Sequence, residues 1–126
     1  MKNSYKILLA EDDKFISRAY MDGLTRAGFS VMVAYDGAEA LKMFAADKPD
    51  LMLLDLIMPV KNGFEVLEEI NDNDKAPRIP IVVLSNLGQD SDIRKAKELK
   101  ATDYLVKSNV TMKEVIEKVK SYLEKK

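Results

Sequence analysis

The chain has 126 residues, enough for one domain with a sizeable core. Apolar residues make up 47%, enough for a packed core, and charged residues 33%, which suits a soluble surface. The net charge of −1 offers no bulk attraction for nucleic acid, and the lack of cysteine and histidine excludes disulfides, thiolate metal sites and Ser-His or Cys-His catalysis.

The first apolar run, Tyr5–Ala10, reads as a strand and ends in Glu11-Asp12-Asp13. Ile16, Ala19, Tyr20, Leu24 and Ala27 then recur at helical spacing up to Gly28, a C-terminal stop. Ser30–Ala34 is a second strand. Asp36 caps a helix through Ala40, Leu41 and Phe44, which Pro49 ends. Leu51–Asp55 is a third strand, followed by a turn at Pro59; Gly63 is the residue there that most readily takes positive φ to shape the loop. Asn62-Gly63 opens a helix with Phe64, Val66, Leu67 and Ile70 on one side, and residues 71–77 form a polar loop. Ile79–Ser85 is strand four, a polar helix with Ile93, Ala96 and Leu99 follows, and Asp103–Lys107 is strand five. The last helix places Val115, Ile116, Val119, Tyr122 and Leu123 on one face.

Strands alternating with helices imply right-handed crossovers and a parallel sheet covered on both faces. In such sheets chemistry gathers at the carboxyl ends of the strands. Those ends carry Glu11-Asp12-Asp13, Asp55, Ser85 and Lys107. Asp55 is therefore a candidate metal ligand, a candidate nucleophile, or both. A set of acids, a hydroxyl and a lysine suits phosphoryl transfer beside a metal, where alignment and charge neutralisation matter most. Asp13 reads as an acid that opens the first helix and favours its macrodipole, and Arg94, Lys95 and Lys97 as a solvated helix face.

Together these residues resemble the receiver domain of two-component response regulators. The resemblance rests on Leu9-Ala10-Glu11-Asp12-Asp13, on Leu53-Leu54-Asp55-Leu56-Ile57-Met58-Pro59 with Gly63 after it, on Val83-Leu84-Ser85, and on Tyr104-Leu105-Val106-Lys107. It covers essentially the whole chain and implies one receiver domain over residues 1–126. The implied fold is a flavodoxin-like five-stranded parallel sheet of order 2-1-3-4-5. By the resemblance, Asp55 is the phosphoacceptor; Asp12 ligates Mg²⁺ beside it, with Glu11 acting through a metal-bound water and Ile57 through its backbone carbonyl. Ser85 bonds the phosphoryl group, Lys107 is the active-site lysine, and Tyr104 is the aromatic switch. The implied partners are a histidine kinase or histidine phosphotransfer protein, and a downstream protein on the face of helix 4, strand 5 and helix 5. No direct nucleic-acid or membrane contact is implied. The protein would be a monomer or a phosphorylation-dependent dimer, and not an enzyme beyond self-phosphorylation and self-dephosphorylation.

Two positions depart from the family pattern. Ser108 follows Lys107 where proline is usual, so the bond is trans or a costly non-proline cis bond, ~3 kcal/mol or more. Lys100 stands where glycine is common, against a left-handed helix end. Bulk at Leu87 is expected to hinder a water attacking the phosphoryl group. Three other readings remain. A phosphatase or transferase with an aspartyl-phosphate intermediate needs an acid where Ile57 stands. A flavin module needs a phosphate-binding loop where Glu11-Asp12-Asp13 would repel phosphate. A degenerate receiver would not need the full residue set. No stretch approaches the ~20 apolar residues that span a bilayer, and no signal peptide is apparent, so cytoplasm is the expected location.

Overall fold

The structure is a computed structural model that describes residues 4–124. Its elements alternate: β1 (Lys6–Ala10), α1 (Lys14–Arg26), β2 (Ser30–Ala34), α2 (Gly37–Asp47), β3 (Leu51–Leu54), α3 (Gly63–Asp72), β4 (Ile81–Ser85), α4 (Asp90–Glu98), β5 (Asp103–Val106) and α5 (Met112–Leu123), with a 3-10 turn at Lys107–Asn109. All pairings are parallel and the order is β2-β1-β3-β4-β5, as expected.

The continuous apolar runs follow from a sheet buried on both faces. Successive side chains alternate between the two faces. Leu8, Met52, Leu54 and Val83 pack with Ala40, Phe44, Val66, Leu67 and Ala96 of α2, α3 and α4. Ile7, Leu9, Leu51, Leu53, Val82 and Leu84 pack with Leu24, Val115 and Val119 of α1 and α5. A one-residue slip would exchange the two sets.

Local signals set most helix starts. Asp13, Asp36 and Thr111 cap α1, α2 and α5, and Asn62 with Glu65 forms a reciprocal cap on α3. Helix α3 takes up the first two residues of the expected polar loop. Several strand limits move inward. Pairing of β4 begins at Ile81, because Pro80 has no N–H to give. β1 begins at Lys6, and Asp55 and Lys107 lie just past the ends of β3 and β5.

Three backbone expectations meet specific outcomes. No peptide bond is cis, so Lys107–Ser108 is trans. Lys100 has φ of +68°, so the left-handed helix end forms despite the missing glycine. It is held by Ala101 N–H on the Ala96 carbonyl at 3.0 Å. Gly63 does not have positive φ; Val60 does, at +68°. Glycine at 63 answers to space instead, since a Cβ there would lie 2.5 Å from the Asp55 carbonyl oxygen.

Candidate functional site

Four strand ends converge at one edge of the sheet. Glu11 follows β1 directly, its N–H on the Ala34 carbonyl at 2.9 Å. Asp55 follows β3, its N–H on the Ala10 carbonyl at 3.0 Å. These bonds fix both acids on the rigid sheet rather than on free loops. Carboxylate oxygens of Glu11, Asp12 and Asp55 lie within 4.8 Å of one another. Glu11 and Asp55 are buried and Asp12 is exposed, which leaves an entrance on the Asp12 side.

Lys107 joins this cluster from the turn after β5. Its ammonium donates to Glu11 Oε1 and, at 3.1 Å, to Asp55 Oδ2. Asp55 Oδ1 accepts the Ile57 N–H at 3.2 Å, and Glu11 Oε2 accepts the Asp13 N–H at 3.0 Å. Asn86 fixes the lysine's turn by accepting the Ser108 N–H at 3.1 Å. Burial pushes the Glu11 carboxyl up; the Asp55 charge adds to this, and the bond from Lys107 offsets only part of it. Burial draws Lys107 down, but the Glu11 bond and the Asp55 charge outweigh it, so its pKa is raised and it stays a cation.

The donor set fits a hard divalent cation. Three acids crowd one ammonium, so the cluster carries more acidic than basic groups, an excess that a dication would balance. All the ligands are oxygen, one acid is open to solvent, and magnesium keeps much of its water when bound. Glu11, Asp12 and Asp55 could hold such an ion. Asp13 does not join them; its carboxylate accepts the Phe15 and Ile16 N–H groups. Ile57 is beside the cluster in sequence and is 56% exposed.

Ser85 ends β4 with no exposure. Its Oγ accepts the Leu87 N–H at 3.3 Å. The Tyr104 hydroxyl, from β5, donates to the Leu87 carbonyl. Two side chains of the expected switch thus grip one residue from either side of its backbone. Burial, then the Asp92 and Asp55 charges, push the Tyr104 phenol up to about 12. Leu87 as their shared partner was not legible in the sequence, where it stood only as bulk near the phosphoryl group. The steric role of Gly63 was also missed, although Asn62-Gly63 marked the helix start. Lys95 lies over the Phe64 ring, 4.5 Å from its centre, rather than being wholly solvated.

Comparison with known proteins gives a consistent result. Residues 7–120 match the family model described as response regulator receiver domain. Response regulator RR06 of Streptococcus pneumoniae is 42% identical over 80% of this chain and 45% of its own length. The BeF3-activated receiver domain of Klebsiella pneumoniae RstA superposes with a TM-score of 0.87 at 28% identity, covering 95% of this chain and 99% of that one. The Mn²⁺-bound response regulator Rcp1 superposes with a TM-score of 0.81 at 31% identity, covering 96% and 95%. The chain spans about half the length of the curated relatives it matches. Several of those are named transcriptional regulators, so the expectation of no nucleic-acid partner finds no support among them. Among the described residues, no helix is long and apolar enough to cross a membrane.

Proposed function

Because the chain belongs to the response regulator receiver family, a phosphorylation-dependent class of signalling domain, we propose that Asp55 is its phosphoacceptor and that a divalent cation at Glu11, Asp12 and Asp55 supports the transfer. The observation that carries this reading is the buried Asp55 carboxylate, flanked by two more acids and bonded to the Lys107 ammonium.

In the proposed reaction an Asp55 oxygen attacks the phosphorus of a phosphohistidine on a kinase or phosphotransfer partner. The phosphorus–nitrogen bond breaks, an acyl phosphate forms on Asp55, and the imidazole leaves, taking its proton from water. Magnesium, when bound, would neutralise charge on the transferring group. Lys107 would move from a carboxylate oxygen to a phosphoryl oxygen. Ser85 would turn its hydroxyl from the Leu87 N–H to the phosphoryl group, and that exchange would loosen one of the two grips on Leu87. Tyr104 would report the change to α4, β5 and α5, the face proposed to meet a downstream protein, either as monomer or as phosphorylation-dependent dimer. Residues 1–126 are proposed to act as one receiver unit, in the cytoplasm. Output by a larger protein, as in the longer relatives, would be driven from that same face.

The test is intact-mass analysis after incubation with acetyl phosphate or phosphoramidate, with and without Mg²⁺. One phosphoryl increment that needs Mg²⁺ and vanishes in Asp55→Asn is the expected result. An increment that persists in Asp55→Asn would overturn the assignment.

A further inference from the structure

The sheet has two edges, β2 and β5. An edge strand presents unpaired N–H and C=O groups, and soluble proteins blunt it with charge, proline or a bulge. β5 opens on Asp103, a charge paired with Lys118 and bonded by Tyr122. β2 has no such device. The run Phe29-Ser30-Val31-Met32-Val33-Ala34-Tyr35 carries no charge, proline or glycine, and β2 pairs with β1 in regular register without a bulge. That pairing decides which groups stay free. The Ser30 N–H donates to the Tyr5 carbonyl and the Ala34 carbonyl accepts the Glu11 N–H, both at 2.9 Å. Backbone direction alternates along a strand, so Ser30, Met32 and Ala34 bond inward to β1. Val31 and Val33 turn their N–H and C=O groups outward, where no further strand lies. The next outward N–H, that of Tyr35, is taken by the Glu39 carboxylate at 2.7 Å.

A groove of about 110 Å³ lies beside this edge, lined by Lys14, Ser17, Arg18 and Met21 of α1 with Val33 and Tyr35. Its lining holds two cations and no acid. Lys14 and Arg18 stand one helical turn apart and so share a face. Lys14 rests over the Tyr35 ring, 5.8 Å from its centre, and neither cation has an ion pair among the described residues. The acids nearby are engaged elsewhere: Asp13 caps α1, Asp36 caps α2, and Glu39 holds the Tyr35 N–H. Asp22 follows Met21 but does not line the groove.

We propose that the open edge of β2 receives an extended, acid-bearing segment of a partner protein, held by backbone bonds to Val31 and Val33 and by the charges of Lys14 and Arg18. An added strand gains its affinity from main-chain bonds and its selectivity from alternate side chains. Every second side chain of that strand falls on the α1 side, where acids meet the two unpaired cations. A second copy of this chain is the poorer occupant. Antiparallel pairing of β2 with β2 puts both α1 helices on one side of the joined sheet, which sets the two Lys14 and Arg18 pairs together with no acid in either strand to balance them. Docking at this edge does not require phosphorylation of Asp55.

The test is amide hydrogen exchange read by NMR on the whole chain, with a short peptide of alternating valine and aspartate as probe. Its controls are the same peptide with lysine in place of aspartate, and the aspartate peptide with its strand-facing amides methylated. The aspartate peptide is expected to slow exchange at Val31 and Val33 several-fold, and both controls to leave it unchanged. Val33→Pro removes an outward N–H and no bond to β1, so it is expected to keep the fold and bind the peptide several-fold more weakly. Lys14→Glu combined with Arg18→Glu is expected to weaken binding likewise while the amides bonded between β1 and β2 stay protected. Unchanged exchange at Val31 and Val33 with the aspartate peptide at millimolar concentration overturns the proposal. Equal binding of the lysine peptide overturns the acidic partner. Slow exchange at both valines in concentrated protein alone, with a doubled mass in solution, overturns it in favour of a second copy.

Discussion

Replacing Lys107 by methionine isolates the cost of crowding carboxylates in a buried site. The Lys107 side chain is 11% exposed, and those of its partners Glu11 and Asp55 are 3% and 8% exposed. A pair at the 3.1 Å separation of Lys107 and Asp55 is worth about 5 kcal/mol of attraction at an effective dielectric near 20, before the opposing cost of drying the ammonium. Breaking a buried pair by removing one partner generally costs about 3–5 kcal/mol, because the other charge is left uncompensated. Glu11 can escape by taking up a proton, which places the expected loss near the lower end, about 3 kcal/mol. With unfolding entropy of roughly 2.1 cal/mol/K per residue over 126 residues, that is a fall of about 10 °C in Tm. The pH dependence follows from Glu11, whose folded pKa is already raised and would rise further once the lysine's opposing bond is gone. A carboxyl with a raised folded pKa contributes its stability fully below its unfolded value and loses it as pH rises through the folded one. The Lys107→Met penalty should therefore be larger at neutral pH than near the unfolded carboxyl value of 4.5. Differential scanning calorimetry in chelator, at both pH values, measures it. A loss that is absent, or equally large at both, would refute the reasoning.

Other outcomes follow from the same geometry. A divalent cation should stabilise the fold: at tenfold excess over its dissociation constant Mg²⁺ should add about 1.4 kcal/mol, or roughly 5 °C, and Asp12→Ala should abolish that gain in thermal melts. Gly63→Ala should cost about 2 kcal/mol or more and slow phosphorylation, because its methyl would press on the Asp55 backbone; urea unfolding and the mass assay read the two effects. Tyr122→Phe should cost about 1 kcal/mol by removing the 2.7 Å bond to Asp103. Asp103 is net lowered: burial opposes this, but bonds from Tyr122, the Tyr104 N–H and Lys118 prevail, so its stabilisation is present above its unfolded value of 3.8 and is lost as pH falls through the folded one. The Asp103 bond, then burial, push the Tyr122 phenol up to about 12, so its stabilisation is lost as pH rises from 10 toward 12, and Tyr122→Phe should lack that share of the alkaline loss.

The sequence by itself determined the alternation of elements, the two-sided burial of the strands, the helix cap at Asp36, the helix starts at Asp13 and Asn62, and the placing of acids, hydroxyl and lysine at strand ends. Each of these is a local matter: periodicity sorts side chains between core and water, and a cap needs only the next few N–H groups. Leu51-Met52-Leu53-Leu54 could say that a strand was buried, but not that Leu51 and Leu53 meet α1 and α5 while Met52 and Leu54 meet the opposite layer. Only the tertiary structure decided that Lys107 bonds both Glu11 and Asp55, partners 96 and 52 residues away in the chain. It also decided that Ser85 and Tyr104 share Leu87, and that Val60 rather than Gly63 carries the positive φ. Lys100 adopts the left-handed turn that its residue type disfavours, because the bonds closing α4 outweigh the local steric cost. The bonds of Lys107 and Tyr104 depend on which segments the folded sheet brings together, because their partners lie 17 to 96 residues away in the chain.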